Sequence, residues 1–170
     1  MIMQIQRGSI DDFDTVMALL DEAVAWLTAQ GRSDQWGSEP WSTQPNIVAF
    51  TRKFVDEDDL WIAEIDGEPA GALIVSESPM PYTPPVEERE LYIKLLVTSR
   101  RHKGLGIGKQ LADHARSIAR DRGIELVRVD CYSGPDEKLV RFYESAGFTR
   151  SQRIQTPKGA FVQVFEDRLS

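Results

Sequence analysis

The chain has 170 residues, of which 41% are hydrophobic and 28% charged, and a formal net charge of −7. That length and apolar content suit a single globular domain over residues 1–170, and the acidic balance argues against nucleic acid as a main partner. No run approaches the ~20 apolar residues of a membrane span. The N-terminus lacks the basic start and apolar stretch of a secretion signal, and one cysteine with two separated histidines offers neither an internal disulfide nor zinc spacing, so the expected protein is cytoplasmic and metal-free, with no membrane partner.

Met3 to Gln6 reads as a first strand. Ser9 or Asp11 caps a helix running to about Ala29, since Phe13, Val16, Met17, Leu20, Ala23, Val24 and Leu27 recur at helical steps before Gln30-Gly31 ends it. Asn46 to Val55 reads as a shorter helix. Leu60–Ile65 and Ala70–Ser76 make a hairpin about Asp66-Gly67, a strong two-residue turn signal. Met80 to Arg89, which holds Pro81, Pro84 and Pro85, reads as a loop before a strand over Leu91–Val97. Lys109 to Arg122 is the next helix, its apolar stripe Ile107, Leu111, Ala115 and Ile118, closed by Gly123. A strand over Ile124–Tyr132, a helix over Pro135–Ser145 and strands over 148–155 and 160–167 complete the chain. The order β-α-α-β-β-β-α-β-α-β-β predicts an α/β (α+β) fold, a mixed sheet with helices on both faces. The crossover through the Lys109–Arg122 helix makes Leu91–Val97 and Ile124–Tyr132 parallel.

The densest signal lies in the basic run Arg100-Arg101-His102-Lys103-Gly104-Leu105-Gly106-Ile107-Gly108-Lys109. A strand feeding a glycine-rich turn into a helix start gathers unpaired backbone N–H groups and the positive end of the helix dipole at one point. Missing side chains let a ligand approach the backbone, and the natural ligand is a phosphate or pyrophosphate. Two familiar cradles fail on the letters. Gln110 follows Lys109 where a nucleotide-triphosphate loop needs Ser or Thr, and position 109 is Lys where a dinucleotide fingerprint needs its third glycine.

Arg101-His102-Lys103-Gly104-Leu105-Gly106 fits Arg/Gln-x-x-Gly-x-Gly/Ala, and Leu139-Val140-Arg141-Phe142-Tyr143-Glu144-Ser145-Ala146-Gly147-Phe148 ends in Tyr-x-x-x-Gly-Phe. In this order and spacing the two blocks resemble the acyl-CoA loop and late helix of the GNAT superfamily of N-acetyltransferases, over roughly Leu60 to Phe165. The resemblance implies a GNAT-like, mostly antiparallel twisted sheet in which the parallel pair splays to admit a pantetheine arm. It implies acetyl-CoA as co-substrate, bound by Arg101, His102, Lys103, Gly104, Leu105, Gly106, Ile107, Gly108 and Lys109. A backbone N–H among Leu95, Leu96 and Val97 would polarise the thioester carbonyl, and Tyr143 would protonate the departing thiolate. The family's Asn near the start of the last helix is missing from Ser133-Gly134-Pro135-Asp136-Glu137-Lys138, which leaves Ser133 or Asp136 as its stand-in.

The remaining polar residues are ambiguous. Tyr143 also reads as a helix tyrosine packed beside Phe142. Glu90 is either a base acting through water or a solvated edge carboxylate, Asp130 is read as ion-paired beside Arg128, and the base can equally be water. Cys131 reads as a small buried residue rather than a nucleophile, having no histidine nearby in sequence. Trp36 and Tyr82, with Trp41, either wall an acceptor pocket for a small-molecule amine or cover the core edge. The acidic body favours a cationic acceptor. A non-catalytic acyl-CoA-binding module and a protein N-terminal or lysine acetyltransferase are the competing functions, and oligomeric state, a homodimer included, is open.

Overall fold

A computed structural model describes residues 2–32, 36–133 and 137–169. Its elements are β1 (Met3–Arg7), α1 (Phe13–Ala29), α2 (Pro45–Glu57), β2 (Asp59–Ile65), β3 (Glu68–Ser76), β4 (Glu90–Thr98), α3 (Ile107–Asp121), β5 (Leu126–Tyr132), α4 (Lys138–Ser145), β6 (Thr149–Gln155) and β7 (Phe161–Arg168), with 3₁₀ turns at Ile10–Asp12, Trp41–Thr43 and Arg100–His102. The seven strands form one mixed sheet in the order β1-β2-β3-β4-β5-β7-β6, in which β4 and β5 run parallel. The predicted order of elements is therefore the observed one. Ile124 differs: its N–H bonds the Ala119 carbonyl and finishes α3, so β5 begins at Leu126. The predicted start of the last helix, through Pro135 and Asp136, lies outside the described residues.

By compactness the chain divides into Met1–Ile74 with Leu95–Leu111, and Val75–Lys94 with Ala112–Ser170. In the first unit, Phe13, Val16, Met17, Leu19 and Leu20 of α1 pack with Val55, Leu60, Ile62, Ala72, Ile74 and Val97. Ser9 starts this helix region with a reciprocal cap: its hydroxyl accepts from the Asp11 N–H, while the Asp12 carboxylate accepts from the Ser9 N–H. The β2–β3 turn has both central residues left-handed, Asp66 at φ 49° and Gly67 at φ 83°, as a two-residue hairpin of type I′ requires. Gly71 in β3 has another purpose. A Cβ there would stand 3.0 Å from Leu111 Cδ1 and the Val97 carbonyl and 3.2 Å from Ile107 Cγ2, so its absence lets the first turns of α3 sit close on the sheet.

In the second unit, β4 pairs with β5 from Glu90↔Leu126 to Ile93↔Val129, and β5 pairs antiparallel with β7 from Leu126↔Arg168 to Tyr132↔Val162. Two arginines tie this unit together. Arg116 of α3 donates to Asp167 at 2.7 Å, to Asp113 at 2.8 Å and to the Ala146 carbonyl at 2.6 Å. Arg128 of β5 grips Glu90 with two bonds, Nε to Oε1 at 2.9 Å and Nη2 to Oε2 at 2.8 Å. Glu90 is only 3% exposed, which corrects both sequence-based readings of it: it is neither an accessible base nor a solvated edge carboxylate. Strand periodicity carries no information about cover. The loop before β4 supplies it, where the Pro84 carbonyl accepts from Arg128 at 3.2 Å.

Candidate active site

The glycine loop begins where β4 ends. Ser99 is 2% exposed, its N–H bonds the Ala70 carbonyl at 2.8 Å, and its hydroxyl donates to Glu22 Oε1 at 2.9 Å. The Arg100 N–H donates to the same Glu22 oxygen at 2.8 Å, and the Arg101 N–H to Ser99 Oγ at 3.3 Å. Glu22 of α1 thus clamps the loop entrance. Arg100 does not face the loop's ligand side: its guanidinium stacks on Trp26 at 3.7 Å, where burial and then the charge of Arg32 lower its pKa. His102 is also turned inward, with Nε2 3.9 Å from Glu68 and Nδ1 buried without a partner.

On either side of His102 the chain opens outward. Arg101, Lys103, Gly104, Leu105, Gly106 and Lys109 are exposed, Gly108 is half-buried, and Ile107 is buried as an anchor. Gly104 and Gly106 have φ of 84° and 70°, and a Cβ on either would project into open space. The first intrahelical bond of α3 runs from Gln110 N–H to the Gly106 carbonyl at 3.0 Å, so the amides of Ile107 and Gly108 have no acceptor within the helix. Left-handed glycines, first-turn amides and exposed basic side chains fit a pyrophosphate. Leu95, Leu96 and Val97 lie on the stretch of β4 that leads into this loop, with Val97 in the core and the other two half-buried.

In the second unit, α4 ends in a Schellman motif. The Phe148 N–H bonds the Tyr143 carbonyl at 3.0 Å, the Gly147 N–H bonds the Glu144 carbonyl at 3.1 Å, and Gly147 is left-handed at φ 98°. The Tyr-x-x-x-Gly-Phe block is therefore a helix stop that fixes the backbone of Tyr143. The ring of Tyr143 packs on Phe142, Phe148 and Phe165, with centroids 5.0, 5.9 and 5.5 Å away. The residue is 6% exposed. Burial, reinforced by Cys131 and Asp130, pushes its pKa far up, so the phenol stays protonated across the working range of pH.

Asp130, at the C-terminal end of β5, is not paired with Arg128, which corrects the expectation. Its Oδ1 accepts from the Tyr82 hydroxyl at 2.8 Å, its Oδ2 accepts from the Tyr92 hydroxyl, and Thr83 Oγ1 stands 3.0 Å from that same Tyr92 hydroxyl. Tyr82, expected as a pocket wall, is thus anchored by its polar end. Trp36 packs at 4.8 Å on Trp41, whose indole N–H donates to the Trp36 carbonyl, and both rings lie against the core of the first unit. Ser33 to Gln35, expected in the same loop, lie outside the described residues. So does Asp136, while Ser133 is tied to Arg153 and to the Phe161 carbonyl.

Comparison with known proteins decides the family. The acetyltransferase (GNAT) family model matches residues 18–148, most of the chain and both sequence blocks. The chain belongs to the GNAT family. Among curated relatives, it is 28% identical over 109 residues to "Probable N-acetyltransferase family 8 member 5" of Mus musculus, covering 64% of this chain and 46% of that protein. It spans about half the length of the curated relatives it matches. Its fold resembles a GNAT acetyltransferase from Listeria monocytogenes, with a TM-score of 0.73 at 19% identity over 98% of this chain and 95% of that one. It also resembles yncA from Salmonella typhimurium, solved with its cofactor acetyl-CoA, with a TM-score of 0.64 at 14% identity over 99% and 94% of the two chains.

Two positioning residues of this GNAT domain escaped the sequence reading. Glu22 sits on an amphipathic helix with nothing in the letters to link it to Ser99, and Gly71 looks like an ordinary small strand residue. Cys131 meets its expectation. It is 7% exposed, and burial, with Asp130 beside it, pushes the thiol up to about 12. Folded protein at pH 8 should therefore react with iodoacetamide at least ~10²-fold more slowly than the unfolded chain. Equal rates would show an activated thiol instead.

Proposed function

We propose that this chain is an acetyl-CoA-dependent N-acetyltransferase that acetylates the primary amine of a small molecule by direct attack, with Tyr143 as general acid. The observation that carries this reading is the loop of left-handed Gly104 and Gly106 running into the α3 N-terminus, in a chain of the GNAT family. Acetyl-CoA, when bound, supplies an activated thioester. Ile107 and Gly108 offer amides to its pyrophosphate, and Arg101, Lys103 and Lys109 add positive charge around them. A backbone N–H of Leu95 to Val97 polarises the acyl carbonyl. Tyr143 keeps a proton on its buried hydroxyl and delivers it to the leaving sulfur. The net charge of −7 supports a cationic acceptor, with the whole chain working as one acyltransferase domain.

An amine panel with acetyl-CoA, followed by free-thiol release, tests the activity. Gly106→Ala tests the cradle: a Cβ in left-handed backbone costs roughly 1–2 kcal/mol of stability and stands where the pyrophosphate approaches. Acetyl-CoA affinity should fall at least tenfold by calorimetry while circular dichroism stays native. Unchanged affinity would move the pyrophosphate elsewhere. Tight acetyl-CoA binding with no thiol release from any amine would favour a non-catalytic binding module.

A further inference from the structure

We infer that Asp130, held by the hydroxyls of Tyr82 and Tyr92, is the group that binds the acceptor's ammonium and takes its proton. This inference rests on the reading of the protein as an amine acetyltransferase and assigns the base that reading lacks. A carboxylate offers about four lone-pair sites. Each oxygen of Asp130 spends one on a phenol, Tyr82 at Oδ1 and Tyr92 at Oδ2, which leaves one on each for an incoming N–H. The two phenols fix the plane of the carboxylate, and Thr83 fixes Tyr92 in turn. No arginine or lysine neutralises it among its described hydrogen bonds, because Arg128 is committed to Glu90 and Pro84. A half-buried carboxylate whose described hydrogen bonds come from two neutral phenols keeps a place for a cationic donor.

Position supports the assignment. Asp130 lies at the carboxyl end of a parallel strand, where ligands of open α/β sheets gather. Tyr143 is close enough for the two groups to feel each other's charge. The charged and titratable groups around the carboxylate are Tyr82 from the loop before β4, Tyr92 from β4, Arg128 and Cys131 from β5, and Tyr143 from α4. Burial raises the Asp130 pKa, opposed by both phenol hydrogen bonds and by Arg128. The same dry surroundings lower the pKa of an amine beside it, since proton transfer converts two buried ions into two neutral groups. In that step an N–H bond breaks, an O–H bond forms on Asp130, and the electron pair stays on nitrogen for attack. Asp130 later releases the proton to solvent.

Calorimetry with 2-phenylethylamine against its uncharged counterpart 2-phenylethanol, without acetyl-CoA, tests the ammonium site directly. The amine should bind wild type at least tenfold more tightly than Asp130→Asn, and the alcohol should not distinguish them. Equal amine affinity in the two proteins would overturn the assignment. With the best amine of the panel, wild-type kcat/KM should level off below the amine's own pKa, near ~10, because Asp130 collects the ammonium form. In Asp130→Asn it should keep rising about tenfold per pH unit up to that pKa. Tyr92→Phe keeps the carboxylate but removes a bond that stabilises its charge, so the acid limb should move to higher pH. Parallel profiles for wild type and Asp130→Asn, or an unmoved limb in Tyr92→Phe, would sink the proton-transfer role. Should wild type acetylate no amine, the transferase reading fails, and the calorimetry still decides whether Asp130 is an ammonium site.

Discussion

Tyr143→Phe should lower turnover by ~10²–10⁴-fold, the usual contribution of a general acid or base, while acetyl-CoA affinity and thermal stability stay close to wild type. The separation follows from how the side chain is held. Its ring makes three aromatic contacts that phenylalanine keeps, and the carbonyl that closes the helix stop belongs to the backbone. Only the hydroxyl is lost, and the packing that holds the ring stays. Steady-state kinetics with thermal denaturation check both halves. A Tyr143→Phe variant with normal turnover would make the residue a core aromatic and leave solvent to protonate the thiolate.

Glu90→Ala is expected to have the largest effect on stability, a loss of about 3–5 kcal/mol. Arg128 and Glu90 are 3% and 4% exposed at the side chain, so truncating the carboxylate strands a guanidinium that cannot shed its charge. The double variant Glu90→Leu with Arg128→Met should recover most of that loss, because an apolar pair needs no desolvation. Urea denaturation of the three proteins reads the result. A single-variant loss under ~1 kcal/mol would mean that water reaches the pair. The damage should extend to the proposed acceptor site. Arg128 also holds the Pro84 carbonyl, and the same loop carries Tyr82 and Thr83, which orient Asp130 directly and through Tyr92.

Much of the architecture was legible because it is local. Apolar residues at helical steps marked α1 and α3, whose predicted stripes are buried except for the half-buried Ala23, and Asp66-Gly67 marked a turn whose two left-handed residues need nothing beyond their neighbours. The same holds for the candidate site's backbone. Gly104, Gly106 and Gly147 occupy conformations that a side chain resists, so their presence in the letters already states where the chain turns. Boundaries slipped where a helix stop consumed a residue that resembled strand, as at Ile124.

The sequence by itself determined the order of the elements, the glycine cradle at the start of α3, the Tyr-x-x-x-Gly-Phe stop and the family these features belong to. Tertiary structure alone decided which polar groups meet. Glu22 reaches Arg100 across 78 positions, and Asp130 reaches Tyr82 across 48 and Tyr92 across 38. Periodicity gives the face of a residue, never the distant segment that covers it. That is why Glu90 and Asp130, both ambiguous in the sequence, become distinct in the fold: one gripped by a buried arginine, the other hydrogen-bonded by two phenols.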